Sequence, residues 1–390
     1  MTYSALPDIA STPQEWSSAA PPKNPRRAMH DRLPGAVQPF LTWLTAQPAP
    51  GEPVVERSPL RFVAAASLQT VFGVLLTAFA LRHEPFLAPF GMLLTTAGLG
   101  LFQVVVFHHC SHGTVFRDRT TNVRVGRWVS AIVLFKHFDA YKHGHMLHHS
   151  NNKLLTEEDE FADFVFNTCR LEAGVPAPVL RRRVLLNLVS PLFHGRFLVR
   201  RVQAAWGSPD RRHNAVGMGT WAALALAAAA AGQVPAFLLG WVVPVTVLLQ
   251  MATVGRILCE HSFPEPDVIA ARGRDLTAQA TSGVFPGTMP PARSARTPRG
   301  ALRWLGWWAD MLTVQLFVRA VVLVGDAPCH DYHHRKPASR RWTSYIQARQ
   351  HDAEAGSSVF RTGYSETWGL FRAVDATLVS LSRLPPGTPI

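Results

Sequence analysis

The sequence predicts an all-α integral membrane protein, with four transmembrane helices in two hairpins and a cytoplasmic helical cap that carries clustered histidines. Three observations predict it. Only 17% of the 390 residues are charged and 47% are apolar, whereas soluble domains ordinarily carry about 25% charge. Four apolar runs are long enough, or nearly so, for a bilayer crossing of about 20 residues. Most of the 17 histidines stand in three tight clusters beside or between those runs.

The chain begins with a polar segment rich in Pro and Ser, Met1 to Ser58, with no charged-then-apolar secretory signal. It reads as a partly disordered cytoplasmic arm, residues 1–58. The first span runs from Phe62 to Leu81, and Arg82-His83-Glu84-Pro85 turns the chain into the second, Phe86 to Phe107. Ala215 to Ala231 and Phe237 to Leu258 form a second hairpin, turned at Gly232-Gln233-Val234-Pro235. Pro244 kinks the fourth span, which membrane helices tolerate, and Arg256 in its last turn can reach the headgroups. Runs around Trp128 to Phe135 and Val184 to Phe193 are too short to span. The run from Trp304 to Val324 is broken by Asp310 and Arg319. Its Trp304, Trp307 and Trp308 suit an amphipathic helix at the interface, aromatic side to lipid, or equally a buried core helix. Residues 59–337 read as the membrane domain and 338–390 as a cytoplasmic C-terminal extension.

Charge orients this arrangement. The formal charge is +13, but the basic residues lie between apolar blocks and form no nucleic-acid-binding motif. Arg82 is the only Arg or Lys in the two hairpin turns, whereas Arg181, Arg182, Arg183, Arg200, Arg201, Arg211 and Arg212 crowd the middle segment. The positive-inside rule therefore makes that segment and both termini cytoplasmic. Heavy use of Ala, Arg and Pro suits a GC-rich bacterium, whose inner membrane would hold the protein. Cys110, Cys169, Cys259 and Cys329 show no metal-like pairing and are expected to be free buried thiols.

The histidine clusters are His108-His109-Cys110-Ser111-His112, His145-Met146-Leu147-His148-His149 and His330-Asp331-Tyr332-His333-His334. Residues at i, i+3 and i+4 share a helix face, so His108 and His112 point together, as do His145, His148 and His149, and His330, His333 and His334. With two hairpins between them, all three clusters fall on one side of the membrane. His261, just past the fourth span, arrives there as a ninth nitrogen. Imidazole suits Fe, Zn, Cu or Ni. Nine nitrogens exceed one tetrahedral zinc, and two redox-active irons are the simplest choice. Glu260 and Asp331, beside His261 and His330, are candidate acceptors for a ring N–H, or else solvated carboxylates. His109 and His143 lie off the shared faces, where supporting or surface roles are expected.

An H-x3-H cluster, two H-x2-H-H clusters, two membrane hairpins and a histidine after the fourth span resemble the membrane fatty acid desaturase and hydroxylase superfamily. The resemblance covers roughly Pro59 to Pro337. It implies that His108, His112, His145, His148, His149, His261, His330, His333 and His334 ligate a non-haem di-iron centre that uses O2 to desaturate a fatty acyl or related lipid chain. The acidic stretch Glu157-Glu158-Asp159 is similar to the family's continuation after the second cluster. The short first cluster departs from the H-x4-H of many acyl-CoA desaturases. With no cytochrome b5 domain visible, a separate electron donor is implied, such as ferredoxin or cytochrome b5 with its reductase. A hydroxylase, ketolase or epoxidase would use the same centre. A membrane metal transporter or metal-binding protein is the rival of another class, although transport paths ordinarily place ionisable groups inside the bilayer.

Overall fold

The computed structural model describes residues 24–292, 296–357 and 359–386; the first 23 residues of the expected N-terminal arm lie outside them. The rest of that arm is folded. Helices α1 (Pro25–Arg32) and α2 (Gln38–Thr45) pair around Arg26, which is 1% exposed. Its guanidinium donates to Gln47 O, Gln38 Oε1 and Thr42 Oγ1 at 3.1, 2.6 and 2.8 Å. A buried charge with its donors satisfied is tolerable, and that network fixes a segment whose composition alone suggested disorder.

Helices α3 (Pro59–His83) and α4 (Pro85–His112) are the first two apolar helices long enough to cross a membrane. They meet along small residues: Ala66, Thr70, Gly73 and Thr77 on one, Gly91, Thr95 and Gly98 on the other. The threonine hydroxyls donate to carbonyls one turn back in their own helix, Thr70 to Ala66, Thr77 to Gly73 and Thr95 to Gly91. No polar atom on this seam is left to lipid, and the backbones approach closely, as small-residue interfaces allow.

The cap follows in α5 (Arg119–Val133), α6 (Phe138–His148), α7 (Ala177–Val189) and α8 (Pro191–Trp206). The last carbonyls of α5 have no helical partners. Side chains serve them instead: Trp206 Nε1 reaches Ala131 O at 2.9 Å, Trp221 Nε1 reaches Ile132 O at 2.8 Å, and Arg201 spans Val133 and Leu134. Helix α9 (Arg211–Ala230) then leads to α10 (Val234–Glu260). At the start of α10, Gly240 packs on Thr77 near the far end of α3, and at its other end the chain reaches His261. Helix α9 therefore carries the chain from the cap to the opposite end of the molecule.

The four helices long and apolar enough to cross a bilayer are α3, α4, α10 and α11 (Pro298–Val322), not the four expected. The expected third span, Ala215 to Ala231, falls in α9, which is not among them because that helix opens on the polar run Arg211-Arg212-His213-Asn214 and is too short for its apolar part to outweigh it. Helix α11 qualifies with the lowest mean hydropathy, 1.2 against 1.9 for the others. Its tryptophans do not face outward: Trp307 and Met311 are buried on Met29, Leu41 and Leu44, with Trp304 and Trp308 beside them. Leu302, Leu305, Leu312 and Phe317 form its exposed side. Arg319 is buried and donates to Trp43 O at 2.8 Å and to Leu323 O and the Tyr345 hydroxyl.

Beyond residue 337 the chain does not stand apart. Between α10 and α11 lies strand β1 (Gly283–Phe285); after α12 (His330–Arg335) and α13 (Tyr345–Ala355), β2 (Glu366–Trp368) pairs with β1 in parallel, Val284 opposite Thr367. Helix α14 (Leu370–Arg383) buries Leu370, Ala373, Leu378 and Leu381, and packs on α10. All four cysteines are free and buried.

The hairpin seam yields a test. A Cβ at Gly98 would lie 2.4 Å from Thr70 Oγ1 and 2.6 Å from the Thr70 backbone nitrogen, so the helices must part. Gly98→Ala is expected to destabilise the protein by about 1–3 kcal/mol, and Thr70→Ala should not rescue it. Gly306→Ala, in open space, should be neutral or mildly stabilising. Denaturation in detergent micelles measures all three, and an unchanged Gly98→Ala midpoint would refute the close approach.

Candidate metal centre

Each histidine cluster sits where a helix starts or stops. Helix α4 passes through a π-helical segment, Phe102–Phe107, just before His108. Such insertions re-aim side chains and are frequent at functional sites. His145 and His148 occupy the last turn of α6, and His149 is its C-cap. His261 leaves α10 in extended conformation, pairs with Thr281 across a β-bridge, and has its carbonyl held by Thr377 Oγ1 at 2.7 Å. His330, His333 and His334 form one face of α12.

All nine imidazoles expected from the sequence converge, and they divide into two groups. His108, His112, His145, His149 and His333 form one, and His148, His261, His330 and His334 the other; within each, the ligand atoms lie within 4.8 Å of one another. The groups abut, with the His149 and His334 rings 4.4 Å apart. His145 Nε2 lies 3.0 Å from His112 Nε2 and 3.1 Å from His149 Nε2, and His333 Nε2 lies 2.7 Å from His108 Nε2 and 3.0 Å from His149 Nε2. In the second group, His330 Nε2 is 3.1 Å from both His261 and His334. Each contact needs one ring to donate and the other to accept, and His145, His149, His330 and His333 each face two other ring nitrogens. A cation at the middle of each group would engage all of these nitrogens at once, and the donor set fits two metal ions.

Electrostatics keep these nitrogens unprotonated. Burial drives His145, His149, His261, His330, His333 and His334 well below the ordinary imidazole range, and neighbouring imidazoles add to the effect. His148 is the exception. Burial pulls it down too, but Asp159, whose Oδ1 is 2.6 Å from His148 Nδ1, outweighs burial and raises it. Asp159 is fully buried, and its own pKa is held down against burial by His148 and the Leu155 N–H.

The carboxylates that meet imidazoles are not those proposed from sequence. Glu260 accepts from Arg256 at 2.8 and 2.9 Å, and Asp331 accepts from Arg349 at 2.7–3.0 Å. Neither touches a histidine ring among the described residues, because each finds a buried guanidinium first. Asp159 supports His148, and Asp326 Oδ2 lies 2.8 Å from His109 Nε2. Asp159 was legible only as part of an acidic stretch, although an Asp ahead of a short helical turn is also an N-cap signal; here it caps the turn Glu160–Asp163. Asp326, in the Gly325-Asp326 turn, carries no periodic signal. His109 is buried and His143 exposed.

A cavity of about 460 Å³ opens onto both groups through His108, His145, His148, His261 and His330, a size within the usual ligand-pocket range. Val104, Phe107, Leu134, Phe135, Phe161, Phe164 and Phe197 supply apolar walls, and Lys136, Arg200 and Arg201 the polar part. Lys136 pairs with Glu160 and Arg200 with Asp163. Arg201 is tied to backbone carbonyls of α5 and of Val245.

A family model described as fatty acid desaturase matches residues 84–354, more than half of the chain and inclusive of all nine histidines. No curated protein matches the sequence.

Two outcomes test the centre. Loss of an outer carboxylate partner ordinarily lowers metal affinity about 10–100-fold. Asp159→Asn should do so at the four-histidine group, read as metal retained against a chelator; full retention would remove Asp159 from its supporting role. The second concerns pH. The depressed histidines bind fewer protons folded than unfolded, so stability of the metal-free protein should be complete above the ordinary imidazole value of 6.5 and fall as pH drops below it. Each such group contributes up to about 1.4 kcal/mol per pH unit. A melting temperature that stays flat from pH 7 to pH 5 would contradict this.

Proposed function

The chain belongs to the fatty acid desaturase family, and from that premise we propose that it carries out O2-dependent desaturation of a fatty acyl or related lipid chain, with two irons held by its nine clustered histidines and electrons from a separate donor such as ferredoxin or cytochrome b5 with its reductase. The observation that carries this reading is the meeting of two imidazole groups with one cavity that has a phenylalanine-rich wall beside polar and charged residues. His108, His112, His145, His149 and His333 hold one ion, and His148, His261, His330 and His334 the other. When bound, the irons supply the oxidising power that an unactivated C–H bond requires, which no side chain can provide.

The protein's own part is to bind, orient and exclude. Phe107, Phe135, Phe161 and Phe164 line the space beside His108 and His148 and give an acyl chain apolar walls to pack against. Each CH₂ buried there contributes about 0.8 kcal/mol, so the fit of the chain, more than its head group, sets selectivity. Asp159 fixes His148 with its Nδ1 proton outward, which leaves Nε2 free for an ion. Two hydrogens leave the substrate, and with two electrons from the donor and two protons from solvent they take O2 to two molecules of water.

We place the site and both termini on the cytoplasmic side of a bacterial inner membrane. The arginine-rich segment shares the end of the molecule that holds the histidines, while the Gly232 turn packs at the other. Reporter fusions at Glu160 and Tyr345 should read the cytoplasm and one at Gly232 the opposite side; any other pattern would overturn this orientation.

The deciding experiment is lipid mass spectrometry of cells that express the wild type or His148→Ala. The expected product is two hydrogens lighter than its precursor, and it should vanish in His148→Ala. A product heavier by one oxygen would reassign the centre to hydroxylation. Metal uptake independent of oxygen and reductant would reassign it to transport.

A further inference from the structure

His109 belongs to neither imidazole group, yet it is 1% exposed. Its ring lies parallel to that of Trp342, with centroids 4.0 Å apart and planes within 11°, and parallel to His108 at 4.8 Å and 4°. His333 is 5.5 Å away. Asp326 anchors the Nε2 edge of His109 at 2.8 Å, and Thr114 lies 3.4 Å from Nδ1. The ring is therefore held in one orientation, and with Asp326 and His333 it forms a third, smaller group whose ligand atoms lie within 4.8 Å of one another. Trp342 sits in the 3-10 turn Arg340–Ser344, itself 3% exposed, and its indole N–H has no partner. Immediately outside it, Lys336, Arg340 and Arg341 are exposed. Lys336 has Asp352 at 3.4 Å, and Arg341 faces His351.

We propose that Trp342 and His109 form the route by which electrons enter the metal centre, and that the basic surface of Lys336, Arg340 and Arg341 docks an acidic one-electron carrier protein. This rests on the oxidative metal centre proposed above. Electron transfer between proteins falls off steeply with distance, and the near-parallel rings of Trp342, His109 and His108 lead from the turn that carries Arg340 and Arg341 to the five-histidine group. In each event the reduced carrier loses one electron and the oxidised metal ion gains it; no bond forms or breaks. The cavity for the lipid chain is lined by His108 and by Asp326, the anchor of His109, but by neither His109 nor Trp342, so a bound chain does not displace the stacked rings. Positive charge around the entry point steers an acidic carrier and fixes its orientation.

The test uses the iron-loaded full chain in lipid nanodiscs without substrate, kept anaerobic, with two reductants compared by stopped flow: an acidic plant-type ferredoxin and dithionite. Trp342→Leu should retain its iron and its rate with dithionite, yet lose most of the ferredoxin-driven reduction. Trp342→Phe, which keeps a ring in the stack, should retain more of it. Ferredoxin binding to metal-free protein should weaken in Lys336→Glu, Arg340→Glu and Arg341→Glu, and the wild-type binding should weaken with salt. Unchanged ferredoxin reduction in Trp342→Leu, equal slowing with both reductants, or loss of iron would overturn the route, the last two by showing a packing role. Unchanged binding in the charge reversals would overturn the docking surface. A wild type that takes up no iron would instead defeat the reading of the centre, while the metal-free binding measurement would still judge the surface.

Discussion

Nine imidazoles whose ring nitrogens face one another inside the protein are the constraint on which the rest of this structure depends. Buried polar groups must be satisfied, and here they satisfy one another only in a fixed set of tautomers. The polypeptide must hold the rings in that arrangement before any ion arrives. It does so by bringing each group in from a different, independently anchored element: the end of α4, the end of α6, the extended residue after α10, and α12. Each anchor has its own buried bond, such as Asp159 to His148, Thr377 to the His261 carbonyl, and Asp331 to Arg349. Pre-arranged ligands of this kind exchange folding energy for metal affinity.

The ligand candidates were legible because helical spacing is local: His145, His148 and His149 share a face by arithmetic alone. So was the hydrophobic character of α3, α4 and α10. What supports the ligands was not legible, since Asp326 and Trp342 meet His109 only through tertiary contact, 217 residues away in the case of Asp326. Glu260 and Asp331 misled for the same reason. Adjacency to a ligand suggested they would serve it, but Arg256 and Arg349 lie nearer, and a full charge outcompetes a ring N–H for a buried carboxylate.

Hydropathy was an incomplete guide to the helices. The polar first turn of α9, Arg211 to Asn214, makes it read as weakly apolar, although the chain path needs it to reach the far end. Three tryptophans in α11 suited either an aromatic face toward lipid or a buried core helix; they pack on α1 and α2, a partner that composition could not announce because the arm looks polar. The segment after residue 337 likewise read as an appendage. Its buried Arg349, which bridges Asp331 on α12 and Glu366 on β2, makes it a brace for the third histidine cluster.

Helix α4 joins two fixed points in one unbroken rod: the Gly98 contact with Thr70 and the ligand pair His108 and His112. At 3.6 residues per turn, one inserted residue between them would swing the histidines by about 100°. The distance from hairpin seam to ligand is thus locked in whole residues, with the π segment Phe102–Phe107 as its final adjustment. A bilayer of different thickness cannot be matched by lengthening α4 at that point. Helices α4 and α10 both count among the apolar helices long enough to cross a bilayer, and both end on candidate ligands, His108 and His112 in one case and His261 in the other. Hydrophobic thickness and the placing of imidazoles are therefore carried by the same helices, and neither can vary there without the other.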